Sequence, residues 1–291
     1  MKSITKDSIK IFFKGILMGA ADIVPGISGG TIALVTEIYE RFILSIYGIF
    51  SLLILFLKAP FSRNNRKFFI EDFKSKISEI KFLTILVFGI ALSFLVLSRF
   101  ILNALHFFPA YIYSFFFGLI FASAGIIFKS QKNKRNIFLF GSAGFILAFI
   151  ITGFENLGAS HSLPIILLSG FIASCAMLLP GISGSFMLLM MGQYKFMLSA
   201  LSNFELVIIT VFLSGFGFGA FVMSKLISHF LKKYESQTII FLVGLMFGGL
   251  RLPIGRILSV SLGFWNPLTI FLSLVSAITG FVVVLLIDKM K

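Results

Sequence analysis

Charge is scarce in this chain, and cysteine scarcer. Only 12% of the 291 residues are charged, and Cys175 is the single cysteine. One thiol cannot close an intrachain disulfide or build a cysteine-rich metal site. His106, His161 and His229 are scattered, with no HExxH or other ligand spacing, so neither a metal nor another cofactor is expected. The alternation of apolar and polar residues that a transmembrane barrel needs is also missing, which excludes that fold. Acids are few: 11, against 25 lysines and arginines. The net charge of +14 would suit nucleic acid. No basic, aromatic-studded soluble segment exists to carry such a function, and nucleic acid is not expected as a partner.

What is abundant is hydrocarbon. Hydrophobic residues make up 58% of the chain, and 39 of them are phenylalanine. Phe82–Leu97, Tyr111–Phe128 and Pro267–Ile287 are apolar runs of membrane-spanning character. The fold class is therefore all-α, a polytopic helical membrane protein. Its basic residues gather in short segments: Lys2 to Lys14, Lys58 to Lys81, Lys129 to Arg135, Lys232 with Lys233, and Lys289 with Lys291. Such clusters mark cytoplasmic segments and place the chain in the cytoplasmic (inner) membrane, where they can also meet anionic headgroups. The apolar run after the basic N-terminus lacks a small-residue cleavage site and is expected to be retained.

Pro-Gly-Ile-Ser-Gly occurs twice, at Pro25–Gly29 and Pro180–Gly184, 155 positions apart. At the same offset Gly15 matches Gly170, Ala21 matches Ala176, Leu34 matches Leu189 and Tyr39 matches Tyr194. A second block matches at an offset of 126, with Ser98-Arg99 on Ser224-Lys225, Gly118-Leu119 on Gly244-Leu245 and Phe121 on Phe247. The change of offset falls in the basic segment 58–81, which the second half lacks. An old duplication is expected, with repeats at 1–152 and 153–291. Putting the basic segments inside predicts a helical hairpin over 8–57 and spans near 82–106, 109–128 and 137–152. The second half then has a hairpin over 164–202 and spans near 205–230, 238–252 and 265–287. Five elements per half give the halves inverted topology, each with a broken or re-entrant hairpin at its PGISG motif.

Each PGISG interrupts an apolar run. Proline ends or restarts a helix, and glycine lets backbone come close to a ligand or a neighbouring helix. Freed backbone groups have no water in hydrocarbon and must line a cavity or find protein partners. In Pro25, Gly26, Ser28, Gly29, Gly30 and Thr31, and in Pro180, Gly181, Ser183, Gly184 and Ser185, the pattern supplies backbone N–H groups and hydroxyls suited to an anion, phosphate above all. Asp22 lies just before the first motif, where an intramembrane acid is a candidate for carrying a coupling proton; its counterpart is Met177. Glu37 is a second coupling candidate, although its spacing from Arg41 favours a helical ion pair. Arg99 and Lys225 occupy equivalent positions and could reach a phosphate or snorkel to an interface. Arg251 and Arg256 contravene the positive-inside pattern if they face outward, where they could recruit a lipid headgroup.

The segment GILMGAADIVPGISGGTIALVTEIYERFI (Gly15–Ile43), with its second copy GFIASCAMLLPGISGSFMLLMMGQY (Gly170–Tyr194), resembles the bacterial and archaeal polyprenyl-phosphate transporters. The signature ADxVPGxSGGT followed by Glu and Tyr stands here as Ala21 to Thr31, then Glu37 and Tyr39. The second copy departs from it at Met177 and Phe186. The resemblance implies that undecaprenyl phosphate, or a related polyprenyl phosphate, is the partner lipid. It would be returned from the outer to the inner leaflet for cell-envelope polymer synthesis. From the residues alone, transport of another small anion stays open, as does assembly into a homo-oligomer. An enzyme is not expected. Membrane polyprenyl-pyrophosphate phosphatases have a Pro-Gly-x-Ser loop followed by arginine, whereas Gly29 and Gly184 stand there and no glutamate pair accompanies them.

Overall fold

A computed structural model describes residues 2–58, 63–131, 136–154, 158, 160–261 and 266–289, with the side chains of 2–6, 58, 63–69, 260 and 261 outside it. Residues 59–62 and 132–135 of the basic segments thus lie outside the described residues. Among the described residues every regular element is helical. Five helices are long and apolar enough to cross a membrane. Leu95, Phe100, Phe138 and Leu268, with many other large apolar side chains, stand exposed on the outside of the bundle. A water-soluble surface does not look like this; the protein is a multi-pass membrane protein.

The chain opens with α1 (Lys2–Ile23), breaks at the first PGISG, and continues as the seven-residue α2 (Gly29–Val35). Seven residues rise about 10 Å, far short of about 30 Å of hydrocarbon. Instead α2 doubles back along α1, and Lys14 Nζ donates to the Thr36 carbonyl at 2.6 Å to close the neck of the hairpin. α3 (Tyr39–Lys58) then departs. The second copy follows the same plan in α7 (Leu163–Leu178), α8 (Gly184–Met190) and α9 (Tyr194–Ser202). Its neck is held by Gln193, fully buried, whose amide bonds the Ser160 carbonyl at 3.1 Å and the His161 ring at 3.0 Å. Both α2 with α8 and α3 with α9 begin 155 residues apart. The turn bonds recur too: Ile38 N–H donates to the Ala33 carbonyl, and Gln193 N–H to the Leu188 carbonyl, each at 2.9 Å.

Further helices surround these hairpins: α4 (Arg63–Phe107), α5 (Pro109–Ser130), α6 (Ile137–Ile151), α10 (Leu206–Gly249), α11 (Arg251–Ser261) and α12 (Pro267–Lys289). Two expectations change. From Arg63 onward the basic segment 58–81 is helix, continuous with the following span. Residues 63–81 contain no glycine or proline, and the pair Asp72–Lys76 at 2.8 Å supports the helix along one face. The expected spans near 205–230 and 238–252 are the two arms of α10, bent at Tyr234, whose φ of −139° and ψ of 50° leave the helical region.

Helices pack closest where glycine removes a side chain. A Cβ on Gly15 would strike the Leu86 carbonyl of α4, and one on Gly170 would strike the Phe212 carbonyl of α10. Likewise Gly89 lies on the Phe12 carbonyl and Gly215 on the Leu167 carbonyl. Each pair is related by the two offsets read from the sequence, so the same α1–α4 contact is rebuilt between α7 and α10. Across the proposed boundary at residue 152, α5 packs on α12 and α6 on α10. The halves interlock into a single bundle.

Candidate functional site

The two PGISG tips meet each other. At both, the motif's first glycine takes the left-handed region, with φ of +91° at Gly26 and +86° at Gly181. A side chain there is strained, which explains why the turn is written with glycine. The following isoleucines, Ile27 and Ile182, plug the core and are buried. Three hydrogen bonds then join tip to tip. Ser28 Oγ donates to the Leu179 carbonyl at 3.2 Å, Gly181 N–H donates to Thr31 Oγ1 at 3.0 Å, and the Tyr39 hydroxyl donates to the Leu178 carbonyl at 2.9 Å. All three run from side chains of the first copy to backbone freed by the second break, which is thus satisfied across the junction, as a water-free setting demands.

The tips differ in their acid. Asp22 Oδ1 accepts from Gly29 N–H at 2.6 Å, and Gly30 N–H donates to Ser28 Oγ at 3.2 Å. Glycine at 29 leaves room for the Asp22 carboxylate, which a Cβ there would have to displace. In the second copy Met177 replaces the acid, and Ser183 Oγ pairs with Ser185 Oγ at 2.8 Å. The first tip therefore holds a carboxylate on the Gly29 N–H, whereas the second copy has Met177 in place of that acid.

Beside the tips lies a cavity of about 480 Å³ between the end of α6, α8 and α11. Phe186, Leu189 and Met190 of α8 and Leu252 of α11 give it an apolar wall, and Arg251 and Arg256 give it positive charge. Arg251 is fixed: its Nη1 donates to the Phe149 carbonyl at 2.8 Å, and its guanidinium lies 4.3 Å from the Phe149 ring centre. The Arg256 guanidinium has no hydrogen-bond or ion-pair partner among the described residues; the Arg256 backbone carbonyl accepts from Ser259 Oγ at 3.1 Å. The Tyr113 hydroxyl donates to the Pro25 carbonyl at 3.4 Å.

The family model described as VCA0040-like, undecaprenyl phosphate translocase-like, matches residues 18–261, which include both tips and α11. The chain belongs to that family. Among curated relatives, a polyprenyl-phosphate transporter of Vibrio cholerae serotype O1 is 38% identical over 252 residues, covering 84% of this chain and 77% of that protein. A polyprenyl-phosphate transporter of Staphylococcus aureus is 33% identical over 299 residues, covering 95% and 94%. No solved structure matches the chain.

Within this family member, the residues expected from the sequence fall into two groups. All eleven PGISG-region residues and Asp22 gather at the tip junction. Arg99 and Lys225 do not join them: both stand exposed, on α4 and α10, and neither lines the cavity. Lys225 Nζ lies 6.0 Å from the Phe221 ring centre on its own helix. The helical pairing of Glu37 with Arg41 is corrected. Glu37 precedes α3 in a left-handed turn, with φ of +58°, and Arg41 bonds Glu79 of α4 at 3.2 Å. Tyr39 and Tyr113 were not expected to bind the tips; the signal available for Tyr39 was its recurrence as Tyr194.

Proposed function

We propose that this protein is a transporter, not an enzyme, that carries undecaprenyl phosphate or a related polyprenyl phosphate from the outer to the inner leaflet of the cytoplasmic membrane. The lipid would then be reused for envelope polymer synthesis. The observation that carries this proposal is the pair of interlocked PGISG tips, in a chain whose curated relatives are named polyprenyl-phosphate transporters. The repeats 1–152 and 153–291 are read as inverted, so that the first hairpin re-enters from the cytoplasmic side and the second from the outside. Their meeting point is then the only layer a headgroup has to pass. Bare hydrocarbon about 30 Å thick would oppose the charged phosphate by many kcal/mol. The tips can replace its hydration with backbone donors and with the hydroxyls of Ser28, Thr31, Ser183 and Ser185, while the polyprenyl tail stays in lipid.

Asp22 supplies the coupling. A phosphate taking the Gly29 N–H must displace the carboxylate that now accepts from it at 2.6 Å. Two anions on one donor repel, so the exchange is favoured when Asp22 leaves as the neutral acid, which ties phosphate entry to proton uptake. Transport of another small anion would use the same tips but has no need of the apolar wall beside them.

The test is purified protein in vesicles with an imposed pH gradient, following lipid-phosphate orientation and free phosphate together. Leaflet exchange should respond to the gradient, Asp22→Asn should remove that response, and no phosphate should be released from polyprenyl pyrophosphate. Sustained phosphate release that vanishes in the Asn variant would overturn the proposal in favour of an enzyme.

A further inference from the structure

Building on the carrier-lipid reading, we infer that the cavity between α6, α8 and α11 is the outward-side receiving site for the phosphomonoester headgroup of the lipid, with Arg256 as its principal cation and Arg251 as the second. Three features of the cavity point to that ligand. Its charge is one-sided, because among the described residues no carboxylate contributes to the lining while two guanidiniums do. Guanidinium matches a phosphate bidentately and holds its charge at any working pH. Arg251 is already anchored on the Phe149 carbonyl and ring, so little rotamer freedom is lost when it receives an anion. Arg256, by contrast, faces the cavity with no counter-ion among the described residues.

The wall decides between a lipid and a free anion. Phe186, Leu189, Met190 and Leu252 form an apolar side that inorganic phosphate cannot use and that the first isoprene units can cover. The cavity also leads somewhere. Leu252 belongs both to its wall and to the first tip, where a Cβ on Gly26 would rest 3.4 Å from Leu252 Cδ1. α8, on the other side, starts at the second tip. A headgroup held in the cavity thus meets the first tip across Leu252, and the Tyr113 hydroxyl already donates to the Pro25 carbonyl of that tip. Location fits as well: the cavity opens where α6 ends and α8 returns, the side opposite the basic segments in the proposed orientation. Two arginines on the wrong side of the positive-inside pattern thereby gain a role.

The experiment measures binding of farnesyl phosphate, farnesol and inorganic phosphate to the purified full chain. Farnesyl phosphate should bind, and Arg256→Gln should weaken it by roughly tenfold to a hundredfold, as expected for losing a charged hydrogen bond, while farnesol binding stays unchanged. Arg256→Lys should recover part of the loss. Gly255, whose added Cβ would meet nothing within 4 Å, takes a reporter thiol: Gly255→Cys with Cys175→Ser should react with a membrane-impermeant maleimide from outside. Farnesyl phosphate should slow that reaction and farnesol should not. Farnesyl phosphate binding that survives Arg256→Gln unchanged, or a thiol it does not protect, would overturn the site. Inorganic phosphate binding as tightly as farnesyl phosphate would overturn the lipid assignment. Unchanged affinity with normal leaflet exchange in Arg256→Gln removes this site alone. A natural protein that binds farnesyl phosphate through Arg256 but moves no lipid removes the transport proposal and leaves the site.

Discussion

Gly26 and Gly181 hold the same place in two copies of one motif, yet alanine should be tolerated at one far better than at the other. Both have positive φ, +91° and +86°, so an L-residue costs about 1–2 kcal/mol at either. Their surroundings then separate them. A Cβ at 26 would lie 3.4 Å from the end of the flexible Leu252 side chain, an ordinary contact. A Cβ at 181 would lie 2.7 Å from the Leu245 carbonyl oxygen and 2.8 Å from Met246 Cα. That backbone cannot yield, because Gly244 and Gly248 press the same arm of α10 against α6 and Gly249 rests on the Gly181 carbonyl. Overpacking of this kind adds about 1–3 kcal/mol. Gly26→Ala should therefore cost about 1–2 kcal/mol and Gly181→Ala about 2–5 kcal/mol. Unfolding by SDS titration in mixed micelles, followed by circular dichroism, measures both. Equal losses, or a larger loss at Gly26, would refute the tip geometry.

Gly192→Ala should cost about 1–2 kcal/mol in the same titration, because Gly192 has φ of +69°. Tyr39→Phe should cost about 1–3 kcal/mol, since it leaves the Leu178 carbonyl without its 2.9 Å donor in a buried site. Ser93→Ala should be neutral or slightly stabilising, because the buried Ser93 hydroxyl has no partner among the described residues and its counterpart is Gly219. Arg41→Gln should change stability by less than about 1 kcal/mol, as its pairing with Glu79 is partly exposed to solvent.

Much of this architecture can be read from residue order, for identifiable reasons. Proline and glycine inside apolar runs announce the two breaks, and a repeat at fixed offset announces that the breaks are equivalent. The paired glycines Gly15 with Gly170 and Gly118 with Gly244 foretell close helix contacts, which the structure places at α1–α4, α7–α10, α5–α12 and α6–α10. Helix continuity is harder to read. Basic composition between 58 and 81 signals a cytoplasmic location, but nothing in Arg63 to Phe88 stops a helix, and composition alone cannot tell a polar loop from a polar helix. At the site, hydroxyls and glycines were legible because the motif repeats them. Arg99 and Lys225 also recur, yet equivalence in a repeat does not fix which face of a helix turns inward. Arg251 and Arg256 gave only an indirect signal, their position on the less basic side. Their convergence with α8 depends on how α11, following α10, packs against α5, a tertiary fact with no local signature.

The most direct test asks whether the tips must part for lipid to pass. Ser28→Cys with Leu179→Cys, in a Cys175→Ser background, puts one thiol on each tip, at two residues whose Ser28 Oγ and Leu179 backbone carbonyl now lie 3.2 Å apart. The pair is bridged by a short, reducible thiol reagent, and leaflet exchange of polyprenyl phosphate is followed in vesicles before bridging, after it, and after reduction. Exchange should proceed in the unbridged protein, stop on bridging and return on reduction. Undiminished exchange in fully bridged protein would show that the headgroup does not travel between the two PGISG tips.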